Sequence, residues 1–480
     1  MKEKTHSSEK FIYIGFVVLV FALTFAWSLN NQPPGGPDEN ARFMIPKFIY
    51  DHGRLPNGYD PEVRNELWGI SYAFYPMLSY MISALFMKIV SIFSTSNMAL
   101  ICAARFTGVV FTTATAALIP MITKRLFHDG RRWMMNALVM FLPELIFVGT
   151  YVNNDAMAIF TTAVILYAWT RYLDEGWTRK NNIILAVGMG FCLLSYYNAY
   201  GWVLMSFFFF LVSHLLDDES GTLKERSLAM LRSGILVAVI VMAIALWTFI
   251  RNGILYDGDI FGLKATKIAG EMYAIDELKP SVHWTPEKEG MSYLGMLFYQ
   301  AGGWPHNWMI MTMYSFICAF GHYTFFMEEW MYKIYIGFVF LGFVFAVLPF
   351  RKNFRWKNRK VYKTRYPEGH LSSRTETITF RGLHKRGVYN FFMAVGMVIP
   401  VILLFTYAYY NDLQAQGRYM ISSAIAVMYF VVTGYGWLME KLVKKEKYRN
   451  IVYWGIGLVW TANAIISYFR LIVPTAGWEI

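Results

Sequence analysis

Charge and cysteine are both scarce in this chain. Asp, Glu, Lys and Arg make up 16% of its 480 residues, where a soluble globular protein carries about 25%. Water is therefore not the solvent for most of its surface. Its three cysteines, Cys102, Cys192 and Cys318, lie in apolar segments without metal-ligand spacing, which argues against disulfides and zinc. The chain has no G-x-x-x-x-G-K-[ST] loop, so nothing in it points to ATP-driven transport. It also shows no internal repeat, which counts against an inverted-repeat transporter.

What the chain has in quantity is apolar length. Hydrophobic residues are 56% of the total and aromatic residues 18%. Apolar runs near twenty residues cross the ~30 Å hydrocarbon core as helices. Such runs predict spans at 11–29, 105–123, 133–151, 155–171, 182–198, 200–215, 233–250, 332–350, 389–410, 418–439 and 451–469. The expected fold is an all-α polytopic membrane protein. It should have about 11 transmembrane helices (11–13), plus juxtamembrane helices in the first outer loop, as a single domain over 1–480. No small-residue cleavage site follows the first span, so it reads as a retained anchor. The run 72–93 is long enough to span, yet crossing would put a strongly basic loop on the outer side. It is expected to dip into the outer leaflet and return.

A net charge of +12 would suit nucleic acid, but its distribution argues against such a partner. With the N-terminus inside, the inner segments are 1–10, "KRLFHDGRR", "RYLDEGWTRK", "DDESGTLKERSLAMLR", the loop 351–388 and "KLVKKEKYRN". These hold 30 of the 44 Lys and Arg, the bias that marks cytoplasmic loops. The C-terminal "PTAGWEI" then lies outside. Two large outer segments remain, 30–104 and 251–331. Outer loops of that length are usually functional.

The first outer segment opens on "PPGGPDENARFMIPKFIYDHG". Pro37 suits a helix start, and Ala41, Ile45, Phe48 and His52 recur at helical spacing. Gly53 and Pro56 stop the helix. Asp38 and Glu39 thus sit at a helix N-terminus, whose dipole favours the ionised form a general base needs. Ordinary dipole-complementing charge explains the pair equally well. "TYVNNDAM" places Asn153, Asn154 and Asp155 at the outer end of a span, where Asp155 reads as a site residue or an N-cap. Arg418 in "QGRY" is either a phosphate ligand or a snorkelling interfacial arginine. Arg251, Asp257 and Asp259 of "RNGILYDGD" share the same aqueous layer. Glu144 is an intramembrane carboxylate, which is functional by default or satisfied by a neighbouring Tyr or Asn.

Together and in this order the motifs resemble one family, the GT-C membrane glycosyltransferases, which carry an acidic pair in the first outer loop. The chain is more closely similar to a bacterial domain-of-unknown-function family placed in that superfamily. The shared motifs are Pro37-Asp38-Glu39, Asn153-Asn154-Asp155, Arg251-Asn252 with Tyr256, Gly258 and Asp259, Ser315-Phe316 with Phe320-Gly321 and Glu329-Trp330-Tyr332, and Gln416-Gly417-Arg418-Tyr419. The similarity runs from about 30 to 440. It implies a GT-C-like fold and a sugar transferred from a polyprenyl-phosphate (undecaprenyl phosphate) donor to a cell-envelope glycan or lipid-linked acceptor. The reaction would take place on the outer face of a bacterial plasma membrane. It also implies Asp38 as base, with Glu39 orienting the acceptor or holding a metal. Arg418 and Arg251 would hold the donor phosphate. Asn153, Asn154, Asp155, Tyr256, Asp259, Gln416 and Tyr419 would contact substrate. A single displacement would invert the anomeric centre. Asp38, Glu39 and Asp155 are candidate ligands for a divalent metal, Mg or Mn, although no spacing requires one. No large soluble domain follows the last span, so a peptide acceptor is not expected. The alternative class is a transporter or flippase of lipid-linked glycans. It would use Glu144 but leaves the acidic pair without a task. A scaffold would be indifferent to both.

Overall fold

The computed structural model describes residues 2–216, 223–321, 323–353, 357–365, 374–382 and 385–472. The C-terminal segment expected outside, "PTAGWEI", lies beyond the described residues.

Lipid offers backbone N–H and C=O groups no partners, so apolar runs fold as helices that satisfy their own. Helix α1 (Lys2–Asn30) leads through the Pro/Gly turn to the short α2 (Glu39–His52). Next come α3 (Leu78–Val90) and α4 (Asn97–Leu126). The chain continues through α5 (Arg131–Met140), α6 (Pro143–Val148) and α7 (Asp155–Glu175). Helices α8 (Arg179–Leu193), α9 (Tyr200–Leu216) and α10 (Leu223–Leu255) follow. The second large loop carries α11 (Leu263–Tyr273), α12 (Tyr293–Phe298) and α13 (Trp308–Ile317). Last are α14 (Glu329–Asn353), α15 (Lys385–Tyr410), α16 (Ala424–Leu442) and α17 (Glu446–Ser467).

Among the described residues nine helices are long and apolar enough to cross a membrane: α1, α4, α7, α9, α10 and α14 to α17. The two other expected spans take different forms. The run 133–151 is α5 and α6 end to end, because Pro143 lacks the N–H that would continue the ladder. Every residue from Met134 to Thr150 is buried, so this pair is the centre of the core. The run 182–198 is α8, which stops at Leu193. Beyond it, Tyr196 is extended and Tyr197–Ala199 form a 3-10 turn, which carries aromatic groups to one end of the bundle. Helix α3 has 13 residues, about 20 Å by the helical rise. It is too short to cross alone, in keeping with a helix that dips and returns. Its Ser83 hydroxyl donates to Ala104 O on α4 at 3.0 Å.

The membrane part is all-α as expected. The loop 351–388 adds an antiparallel hairpin, β1 (Lys357–Arg365) with β2 (Arg374–Gly382), registered from Lys357↔Gly382 to Arg365↔Arg374.

The loops sort to two ends. At one end Arg132 pairs with Glu9 at 2.5 Å, Arg125 with Asp174 at 2.5 Å, and Arg131 with Glu440 at 3.3 Å. Arg386 donates to Leu126 O at 3.0 Å in the same layer. The basic segments therefore gather together. At the other end the two large loops dock on one another. Arg251 donates to Pro56 O at 2.5 Å, Asn252 to Phe74 O at 3.1 Å, and Gly58 N–H to the Tyr256 hydroxyl at 2.9 Å.

Candidate active site

The site begins with the turn between α1 and α2. Asp38 is the N-cap residue of α2 and holds φ 62°, ψ 11°, the left-handed region. A non-glycine residue there costs on the order of 1 kcal/mol, and Asp is among the few that tolerate it. The conformation turns the carboxylate across the bundle. Its Oδ2 lies 2.7 Å from Arg418 Nη2 and 4.0 Å from Arg42 Nη2. Arg42 is one helical turn along α2, so the helix itself sets the second distance.

Asp155 completes a four-charge cluster. Its Oδ2 is 3.7 Å from Arg42 Nη1 and 4.0 Å from Arg418 Nη1. Asp155 is not the helix cap: Asn154 holds that position, and Asn153 Oδ1 accepts the N–H groups of Asp155 (2.8 Å) and Ala156 (3.2 Å). Asn154 Oδ1 accepts from Arg42 Nη1 at 2.7 Å. Gln416 Oε1 accepts from Arg418 Nε at 2.6 Å, and the Tyr151 hydroxyl accepts from Arg418 Nη1 at 3.3 Å. The PDE, NND and QGRY motifs thus converge on two arginines.

Both guanidiniums are buried, at 0% and 2% exposure, whereas the Asp38 side chain keeps 42%. Among the described residues Arg42 Nε and Nη2 have no hydrogen-bond partner. Burial works to raise the Asp38 pKa. The charges of Arg418 and Arg42, with hydrogen bonds from Arg418 and Tyr72, outweigh it and hold the carboxyl below its ordinary 3.8. In the resting protein Asp38 is therefore ionised.

A cavity of about 320 Å³ adjoins the cluster. Six tyrosines line it, Tyr72, Tyr75, Tyr196, Tyr197, Tyr407 and Tyr419, with Leu263, Leu403 and Leu404 on its apolar side. The Arg42 guanidinium lies 4.5 Å from the Tyr72 ring centre and 5.6 Å from that of Tyr196; Arg418 lies 5.0 Å from that of Tyr419. Cavity wall and charge cluster are thus one surface.

Glu39 points elsewhere. It is 2% exposed, and Arg105 of α4 grips it bidentately, Nε to Oε1 at 2.7 Å and Nη2 to Oε2 at 2.7 Å. Val152 N–H donates to Oε1 at 2.9 Å, and Gly35 N–H donates to Oε2. Arg105 Nη1 also donates to Ser28 O (3.0 Å) and Asn31 O. Glu39 is a latch that fixes the turn carrying Asp38.

The RN…Y.GD motif is also away from the cluster. Arg251, Asn252 and Tyr256 dock the two outer loops as described above. Asp259 Oδ2 accepts the Ala265 N–H of α11 at 2.9 Å. Ser315 supports the QGRY turn, its Oγ accepting the Gly417 N–H at 2.6 Å and donating to Ala415 O at 2.7 Å. Glu144 is 2% exposed and accepts the Ala319 N–H at 2.9 Å, so a backbone amide satisfies it, neither a Tyr nor an Asn.

Sequence reasoning missed Arg42, Arg105 and the cavity tyrosines other than Tyr419. Arg42 was open to discovery, since i+4 from Asp38 on a helix is one face. Arg105 was not, because its partner is 66 residues away.

The arrangement does not fit a divalent cation. Among the described residues no group of three His, Cys, Asp or Glu is placed to hold an ion. Asp38, Glu39 and Asp155 each face arginine charge, which a cation between them would also meet.

No protein-family model and no curated protein sequence matches the chain. Several solved structures match its fold, among them the following three. The oligosaccharyltransferase AglB of Archaeoglobus fulgidus, in complex with an inhibitory peptide and a dolichol-phosphate, superposes with a TM-score of 0.53 at 12% identity. That match covers 98% of this chain and 56% of AglB. The apo form of the Archaeoglobus fulgidus oligosaccharyltransferase gives 0.51 at 14% identity, over 97% of this chain and 55% of that one. ArnT of Cupriavidus metallidurans bound to undecaprenyl phosphate gives 0.51 at 10% identity, over 96% and 73%. The chain thus spans about half the length of the archaeal enzymes. At these identities the likeness is one of fold alone, an architecture the chain shares with the archaeal oligosaccharyltransferase and with ArnT.

Proposed function

We propose that the protein is a glycosyltransferase using a polyprenyl-phosphate-linked sugar, acting at the end of the bundle that carries Asp38. One observation carries the reading. An exposed carboxylate stands beside two buried arginines, one with unpaired donors, at the wall of a tyrosine-lined cavity. Arginine pairs bind phosphate, and tyrosine faces suit the apolar side of a sugar ring. The structural neighbours add support, since AglB is in complex with a dolichol-phosphate and ArnT is bound to undecaprenyl phosphate.

In this reading the donor phosphate engages Arg418 and Arg42, in place of the expected Arg418 and Arg251. The acceptor oxygen bonds to the anomeric carbon as the bond from that carbon to the phosphate oxygen breaks, and the phosphate leaves with the electron pair. Asp38 takes the acceptor proton. Phosphate and Asp38 compete for Arg418. A bound donor loosens the resting ion pair and adds a negative charge nearby, and both effects raise the Asp38 pKa toward that of a useful base. A single displacement inverts the sugar. The acceptor is a cell-envelope glycan or a lipid-linked molecule, and the working face is the outer side of a bacterial plasma membrane.

The test uses purified protein with a radiolabelled undecaprenyl-phosphate sugar and an envelope-glycan extract. Wild type should move label from lipid to glycan, and Asp38→Asn should not. A well-folded wild type that leaves the lipid-linked label untouched across the common donor sugars would sink the proposal.

A further inference from the structure

The opposite end of the bundle holds a second cavity, about 680 Å³, between α1, α4 and α5. Lys10 at its rim is about 30 Å along α1 from Asn30 by the helical rise. That is a full hydrocarbon thickness from the candidate active site. Lys10, Lys124 and Arg132 line the cavity together with Glu9. Arg132 Nη2 pairs with Glu9 at 2.5 Å, while the exposed Lys10 and Lys124 have no ion pair among the described residues. Two positive charges are thus left without a partner among the described residues. Tyr13 and Trp133 stand in the wall, Tyr13 braced by donating to Ala117 O at 2.9 Å and Trp133 stacked on Trp454 at 5.6 Å. At the floor, Asn136 is 1% exposed. Its Oδ1 accepts from the Thr123 hydroxyl at 2.7 Å, and its Nδ2 has no partner among the described residues.

We propose that this cavity binds the phosphate headgroup of an anionic membrane lipid. Two ammonium groups without an ion pair among the described residues and an amide donor at the cavity floor match the oxygens of a phosphodiester. Amphipathic rings such as Tyr13 and Trp133 sit at headgroup depth in membrane proteins. A zwitterionic headgroup would bring a cation toward Lys10 and Lys124, which repel it. The occupant also ties together the lower ends of α1 and α4, the helices whose upper ends Arg105 joins by donating to Ser28 O.

Native mass spectrometry of the detergent-solubilised protein tests this. Dioleoyl phosphatidylglycerol and dioleoyl phosphatidylcholine are titrated separately, and the tightest-bound lipid is measured. Each basic residue near a membrane surface contributes on the order of fivefold to anionic-lipid binding. Lys10→Ala/Lys124→Ala should therefore retain phosphatidylglycerol about 30-fold more weakly, with phosphatidylcholine unchanged. Lys10→Arg/Lys124→Arg should keep wild-type retention. Equal phosphatidylglycerol binding by the alanine double variant would overturn the site, as would equal binding of the two lipids by wild type. Displacement of the lipid by an equal concentration of inorganic phosphate would overturn the lipid assignment.

Discussion

At the scale of single residues the site depends on Asp38 being exposed while its partners are buried. Exposure lets an acceptor reach it; the arginines keep it ionised. Asp38→Asn keeps the size and loses the proton-accepting group, so transfer should fall about 10² to 10⁴-fold with folding unchanged. If Asp38→Asn retains full transfer while Asp155→Asn abolishes it, the base is Asp155. Arg418→Ala removes the partner shared by Asp38 and Asp155 and, in the proposed function, by the donor phosphate. It should cost about 10²-fold or more in rate, measured as kcat at saturating donor. The pH dependence follows from the sign of the Asp38 shift. Its pKa in the folded protein is depressed below 3.8. The stability from its ion pairs is therefore fully present above pH 3.8 and lost as pH falls through the lower folded value. The profile of kcat/KM, which reports the free enzyme, should show no Asp38 limb between about pH 5 and 8. An acid limb in that range that moves in Asp38→Glu would contradict the resting ion pair.

At the scale of elements, Glu39 and Arg105 decide where α2 begins. Both are buried, at 3% and 0% side-chain exposure. Removing one partner leaves an uncompensated buried charge, which costs roughly 3–5 kcal/mol. Glu39→Gln should thus lower thermal stability in detergent by that order. Combining it with Arg105→Met should cost less than the two single losses added. A fully stable but inactive Glu39→Gln would instead return Glu39 to the acceptor. The glycines before Asp38 matter for closeness of approach. A Cβ on Gly36 would lie 2.5 Å from the Tyr151 ring, and Tyr151 also bonds Arg418. Gly36→Ala should therefore push the turn off Arg418 and lower activity at least tenfold with modest loss of stability.

This turn also shows how far the sequence could be read. The start, apolar face and stop of α2 follow from Pro37, the spacing of Ala41, Ile45 and Phe48, and Gly53, all local signals. Ala41, Ile45 and Phe48 are buried as expected, whereas His52 at the same spacing is exposed, and Gly53 caps the helix at φ 65°. What local signals could not give was direction. Two adjacent carboxylates on a helix N-terminus look alike. One meets arginines from its own helix and from residue 418, and the other meets residue 105, and only the packed bundle separates them. Asp155 was legible as polar but not as a partner of Arg42. The Tyr196–Tyr197 wall was hidden inside an apolar run that reads as continuous span until α8 ends at Leu193.

At the scale of the whole molecule the two ends of the bundle carry different chemistry, and the proposed function fixes which end faces which side. In the proposed function the end with Asp38 meets a donor whose sugar is presented outside the cell. The end with the clustered basic segments is then the cytoplasmic one, the side on which the charge bias of loops would put it. Two exposed positions report the ends separately, Glu277 in the second large loop and Lys447 at the start of α17. The native cysteines are a weak background, since Cys192 and Cys318 are buried and Cys102 is partly so. Glu277→Cys should react with a membrane-impermeant maleimide in intact cells. Lys447→Cys should react only after the membrane is opened. Both substitutions are on the surface, where changes usually stay within about 0.5 kcal/mol, so labelling reads topology and not unfolding. The reverse pattern would put Asp38, Arg42 and Arg418 in the cytoplasm. The donor would then have to present its sugar on the inner leaflet, and the outer-face reaction would fall while the fold and the charge cluster stood.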